Sequence, residues 1–134
     1  MRRLRQLLDD EAGSAVAEFV MVSALLTALA LAVLQLGFAL LIRNTVLDAA
    51  AEGARYAALA DTGLAAGAQR TRELITTALG PDYAAHIEAR YGNYAGHAST
   101  EVRVRTPLPL AGLFGPDRAM EVVGHASLET LDGG

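Results

Sequence analysis

The sequence contains no cysteine and no lysine. The first absence excludes a disulfide framework and any thiolate metal site, and says little about compartment. The second removes the phosphate-binding lysine of a P-loop and any Schiff-base lysine, since all 11 basic side chains are arginine. No serine stands in a G-x-S-x-G elbow. His86, His97 and His125 show no metal-ligand spacing with one another or with acids; His86 and His125 fit solvated positions on the wet face of neighbouring strands. The net charge of -4, without a basic stripe, disfavours nucleic acid, whose phosphates need clustered positive charge. The expected outcome is no catalytic, cofactor-binding or metal site, and no enzyme.

Charge is also missing from Phe19 to Ile42, a run of Leu, Ala, Val, Ile, Met and Phe interrupted only by Ser23, Thr27, Gln35 and Gly37. Its length exceeds the roughly 20 apolar residues that cross a hydrocarbon core of about 30 Å, so the lipid bilayer is the expected surroundings. A cleaved secretory signal is the competing reading, given Arg2, Arg3 and Arg5 and the small residues Ala28 and Ala30. Against it, an h-region spans about 7–15 residues, and Asp9, Asp10, Glu11 and Glu18 separate the arginines from this run. Arg2, Arg3, Arg5 and the free amine precede the span, whereas Arg43 and Arg55 follow it. Acids count little in the positive-inside bias, which therefore puts the amino end in the cytoplasm.

Glu18 stands at the mouth of the run, five residues after Gly13. A charge at the centre of a bilayer costs about 2.5–3.5 kcal/mol even on permissive scales, which makes an ionisable residue at a span a functional candidate. The local sequence is Glu11-Ala12-Gly13-Ser14-Ala15-Val16-Ala17-Glu18-Phe19. It resembles the processing site of type IV prepilins and pseudopilins. The resemblance implies cleavage by a prepilin peptidase between Gly13 and Ser14, with the apolar helix kept on the mature protein. It also implies a docking role for Glu18, beside Phe19, through pairing with the amino terminus of a neighbouring subunit. Such a pair offsets its desolvation only when both charges are present.

Past the span, Ala50-Ala51-Glu52-Gly53-Ala54-Arg55-Tyr56-Ala57 matches the A-x-E-G-A-R-x-A pattern of TadE-like proteins of tight-adherence pilus systems, which the chain resembles here too. Read as residues, Val46, Ala50, Gly53 and Ala57 share one helical face, and Asp48, Glu52 and Arg55 lie elsewhere. Small residues at intervals of four, among them Ala50, Gly53, Ala54 and Ala57, permit close approach either to the chain's own sheet or to another subunit. A continuous helix from Ala15 to Ala60 would measure roughly 70 Å at about 1.5 Å per residue, so its outer part belongs to a folded domain or a filament.

That helix is expected to end near Asp61-Thr62-Gly63, with Gly63 free to form a left-handed cap. A second helix over about Ala65 to Leu79 carries Leu74, Ile75, Ala78 and Leu79 and stops at Gly80-Pro81. The period then changes to two over 86–91, 101–105 and 120–128, which predicts three short antiparallel strands, apolar on one face and wet on the other. Pro107 and Pro109 are placed beyond the second strand, and Gly92 to Ser99 predicts only a loop. The connection from Leu108 to Arg118 holds Leu110, Leu113 and Phe114 beside Gly115-Pro116; these apolar residues either tuck over the sheet edge or make a subunit contact.

The expected fold class is α+β: a long N-terminal transmembrane helix extending into a small external domain with a second helix and a three-stranded antiparallel sheet. The expected division is a cytoplasmic leader over 1–13, the span over 14–42 and an extracytoplasmic domain over 43–134. The TadE resemblance implies a minor pilin or pseudopilin in the bacterial cytoplasmic membrane. Its implied partners are a small major pilin of the Flp type, a sister minor pilin, an inner-membrane platform driven by a cytoplasmic ATPase, and the prepilin peptidase. The residues alone leave two alternatives: an uncleaved single-pass anchor with a small external protein-binding domain, and a pseudopilin of a secretion or competence filament.

Overall fold

The computed structural model describes residues 1–59, 62–108 and 119–128. The first proline of the chain is Pro81, so nothing upstream removes a ladder hydrogen bond, and helix α1 runs without a break from Arg2 to Ala58. It therefore starts earlier than Ala15. Leu4, Gln6, Leu7 and Leu8 are strong helix formers, and the single Gly13 costs too little to stop it.

By its own contacts the chain divides into two units, Met1–Gly37 and Phe38–Gly134. The first unit is helix alone. Every residue in it is exposed except the half-buried Ser23, and Phe19 and Leu25 keep 72% and 70% of their surface. Helix α1 as a whole, Arg2–Ala58, has a window of mean hydropathy 2.5 and is long and apolar enough to cross a membrane. A helix suits that setting because its backbone groups are satisfied internally.

The second unit contains the rest of α1, helix α2 (Leu64–Leu79), a 3-10 turn (Pro81–Ala84) and strands β1 (His86–Tyr94), β2 (His97–Pro107) and β3 (Ala119–Ser127). Gly63 does not form the left-handed cap expected of it. Its backbone is extended at φ -128° and ψ 177°, and it is the N-cap of α2. The turn after α1 is closed by Thr62, whose hydroxyl donates to the carbonyls of Tyr56 and Leu59. Asp61 lies outside the described residues. At the other end of α2, Gly80 has φ 106°, and its N–H donates to the carbonyls of Ile75 and Thr76.

The sheet is antiparallel in the order β1-β2-β3. The stretch from Gly92 to Ser99 is not a loop. Gly92, Asn93 and Tyr94 pair with Ser99, Ala98 and His97, leaving a two-residue turn at Ala95 (φ 52°) and Gly96 (φ 83°). Two positive φ values in succession match the twist of the flanking strands. Ala in place of Asn or Asp at the first position is why the sequence does not announce the turn. Pro107 is the last residue of β2, opposite Ala119, rather than beyond the strand; at a strand end it interrupts no ladder further along.

Thr100, Val102, Val104 and Thr106 of β2 face the helices and are fully buried. On α1 the matching row is Ile42, Val46, Ala50 and Ala54, each at 0% exposure. Four helical residues advance about 6 Å and two strand residues about 6.6 Å, so the rows stay in step. Thr100 meets Ala54, and Gly124, paired with Val102, meets Ala50. Ile75 of α2 completes the core.

Candidate functional site

Gly13, Ser14, Glu18 and Phe19 all lie on the exposed α1 helix of the first unit. A Cβ added at Gly13 would have no atom within 4 Å. Ser14 and Glu18, four residues apart, are neighbours on one helical face. No other part of the described chain covers them.

The Glu52-Gly53-Ala54-Arg55 stretch is built differently, because each residue has its own surroundings. Gly53 faces α2, where a Cβ on it would lie 2.7 Å from the Gly67 carbonyl oxygen and against the Thr71 hydroxyl. Gly67 reciprocates, since its own added Cβ would lie 2.7 Å from the Gly53 carbonyl oxygen and against Ala57. Ala50 faces the sheet, with its backbone where a Cβ on Gly124 would stand, 2.6 Å from the Ala50 oxygen. The four small residues Ala50, Gly53, Ala54 and Ala57 are all buried within this chain. Glu52 and Arg55 point away and pair with each other at 3.6 Å, largely in solvent, where such a pair contributes little.

Two threonines tie α1 to its neighbours. The Thr100 hydroxyl of β2 donates to the Ala54 carbonyl at 2.6 Å. The Thr71 hydroxyl of α2 lies 3.0 Å from the Gly67 carbonyl and 3.4 Å from that of Ala49. Neither threonine drew attention in the sequence. The available signal was Gly67 and Thr71 four apart on α2, a small-residue stripe that mirrors the one on α1.

The solvent face of the sheet carries a charge lattice that sequence reasoning also missed. Glu101, in the central strand, is only 12% exposed. It accepts from Arg90 Nε of β1 at 2.7 Å, and its other oxygen is 3.6 Å from His125 Nδ1 of β3. The Arg90 hydrogen bond holds the Glu101 carboxyl below its ordinary value; partial desolvation opposes this, and the charges of Arg90, His125 and Arg103 add to the lowering. Room for the carboxylate comes from Gly92, where a Cβ would stand 3.0 Å from Glu101 Cδ. Tyr94 stacks on His125 with centroids 4.5 Å apart. Toward the other end of the face, Glu121 lies 3.3 Å from Arg103 and 3.4 Å from Arg105.

His86 and His125 are not on neighbouring strands, because β2 runs between them. Among the described residues no three His, Asp or Glu side chains gather as a metal site would need. Leu110, Leu113 and Phe114 lie outside the described residues, as does Pro109.

The family model described as TadE-like protein matches residues 13–55. Over that segment the chain is similar to the TadE-like family. The match opens on Gly13, takes in Glu18 and the whole apolar run, and closes on Arg55. No curated protein and no solved structure matches the chain. The exposed apolar helix and the family together fit a membrane location.

Proposed function

We propose that the chain is a minor pilin or pseudopilin of a tight-adherence pilus, acting in pilus assembly or adhesion rather than in catalysis. The amino end faces the cytoplasm, the apolar helix spans the cytoplasmic membrane, and the domain from residue 43 onward is extracytoplasmic. A prepilin peptidase cuts after Gly13, and Ser14 becomes the new amino terminus. Glu18 then receives the amino terminus of an adjoining subunit, with Phe19 beside it in the helix contact. The observation that carries this reading is a family match beginning at Gly13 and running through an apolar helix that nothing in the described chain covers.

The division of labour along α1 supports it. The residues from 42 to 58 that face inward are consumed by the chain's own α2 and sheet, whereas the residues from 14 to 37 are left for lipid and for other subunits. The partners the reading requires are a small Flp-type major pilin, a sister minor pilin, the inner-membrane platform and the peptidase. Leu110, Leu113 and Phe114 are proposed as a further subunit contact on the strength of their apolar character alone.

The test is mass spectrometry of the amino terminus after co-expression with the cell's own prepilin peptidase and extraction from the membrane. A chain beginning at Ser14, methylated or not, supports the proposal. An intact Met1 or Arg2 start favours the second reading, an uncleaved single-pass anchor, which the unbroken helix through Gly13 otherwise fits.

A further inference from the structure

Gly13 and Ser14 sit inside helix α1, with eleven helical residues before Gly13. Within an α-helix the carbonyl of residue 13 accepts from the N–H of residue 17, and the N–H of residue 14 donates to the carbonyl of residue 10. The bond to be cut is therefore tied into the ladder on both sides. Hydrolysis adds water across the Gly13–Ser14 C–N bond and leaves a Gly13 carboxylate and a Ser14 amine, so the peptidase must reach a carbonyl the helix is using.

We infer that local unwinding of α1 around Gly13 is the step that gates processing, and that the sequence sets how often it occurs. This rests on the cleavage reading given above. Three observations bear on it. First, residues 1–22 are exposed throughout, so no tertiary packing among the described residues reinforces the helix there. Secondly, the first turn holds Arg2, Arg3 and Arg5 and no acid, which sets positive charge against the positive end of the helix dipole. Thirdly, Gly13 is the worst helix former between Met1 and Leu36, and it stands at the bond itself. The leader is thus helical by local propensity alone and opens most readily at Gly13. Where opening and closing are fast, cleavage follows the population of the open form.

The experiment uses the full chain in membrane vesicles with the prepilin peptidase of the same cell, and reads both the cleavage rate and the exchange of the Ala17 amide. Ala12→Gly and Ala15→Gly each weaken the helix without touching Gly13 or Ser14, and each is expected to speed cleavage about five-fold. Val16→Ala strengthens it and is expected to slow cleavage about two-fold. Amide exchange is expected to move in the same ratios. If the parent chain is cut after Gly13 but the three variants are cut at the parent's rate, or all more slowly, unwinding is not the gate, while the cleavage reading stands. If the parent chain keeps Met1 under the same conditions, the cleavage reading fails and this inference with it.

Discussion

Gly53 of α1 and Gly67 of α2 meet backbone to backbone: a Cβ on either would stand 2.7 Å from the carbonyl oxygen of the other. The Gly in the TadE-like Glu-Gly-Ala-Arg stretch is thereby assigned to the interior of this domain. The same helix is approached from the sheet side by Gly124, so α1 is gripped by small residues on two flanks.

Gly53→Ala is expected to destabilise the domain by about 1–3 kcal/mol, the range for overpacking, because the opposing carbonyl cannot swing aside as a side chain can. Gly13→Ala, with nothing within 4 Å of the added methyl, should leave the domain unfolding transition in place. Chemical denaturation of the detergent-solubilised chain, followed by circular dichroism, compares the two. Equal midpoints for Gly53→Ala and the parent would mean that the close crossing does not form.

Thr100→Val keeps the shape of a buried side chain and removes its donor to the Ala54 carbonyl. The expected loss is about 1 kcal/mol, the typical net worth of one hydrogen bond. Thr71→Val should behave likewise at the α2 side. Their effects should nearly add if each threonine holds α1 independently, which a double-mutant cycle in the same denaturation assay measures.

Acid should weaken the sheet through Glu101. Its folded-state pKa lies below the unfolded value of about 4.5, so its ionised form contributes stability that is fully present above that value. The contribution disappears as pH falls below 4.5 through the folded pKa. Arg90→Gln removes the principal cause of the lowering. The difference in unfolding free energy between parent and Arg90→Gln is expected to be constant near neutrality and to shrink below pH 4.5; a difference that does not change with pH would rule out the Arg90–Glu101 bond as its source.

Glu18→Ala should insert in the membrane as well as the parent, or slightly better, because a charge near the span is removed. Piliation and surface adherence should nevertheless be lost if the carboxylate receives a neighbouring amino terminus. Membrane fractionation and electron microscopy of the same cells read the two quantities separately. Intact pili with Glu18→Ala would end the docking role.

Much of the fold is legible in the sequence because two of its signals are strong and local. An uncharged run from Phe19 to Ile42 has one stable form in lipid, a helix, and the change from a period of 3.6 to a period of two after Pro81 marks where helices give way to strands. The hairpin at Ala95-Gly96 escaped because its backbone is imposed by cross-strand pairing rather than by its residues. Gly63 escaped for a related reason: a glycine between two helices serves either one, and the geometry of the turn made it the N-cap of α2.

By itself, the sequence marked the apolar helix and, among the described residues, the second helix and the three strands, and it offered Gly13 and Glu18 as the proposed cleavage and docking residues, since each reading depends on composition or spacing within a few turns of chain. Only the tertiary structure decided which small residues of α1 are occupied internally, that Glu101 joins Arg90 and His125 across three strands, and that His86 and His125 are kept apart by β2. Those outcomes depend on strand order and helix crossing, which bring together residues distant in sequence. Spacing along a chain carries no record of such meetings.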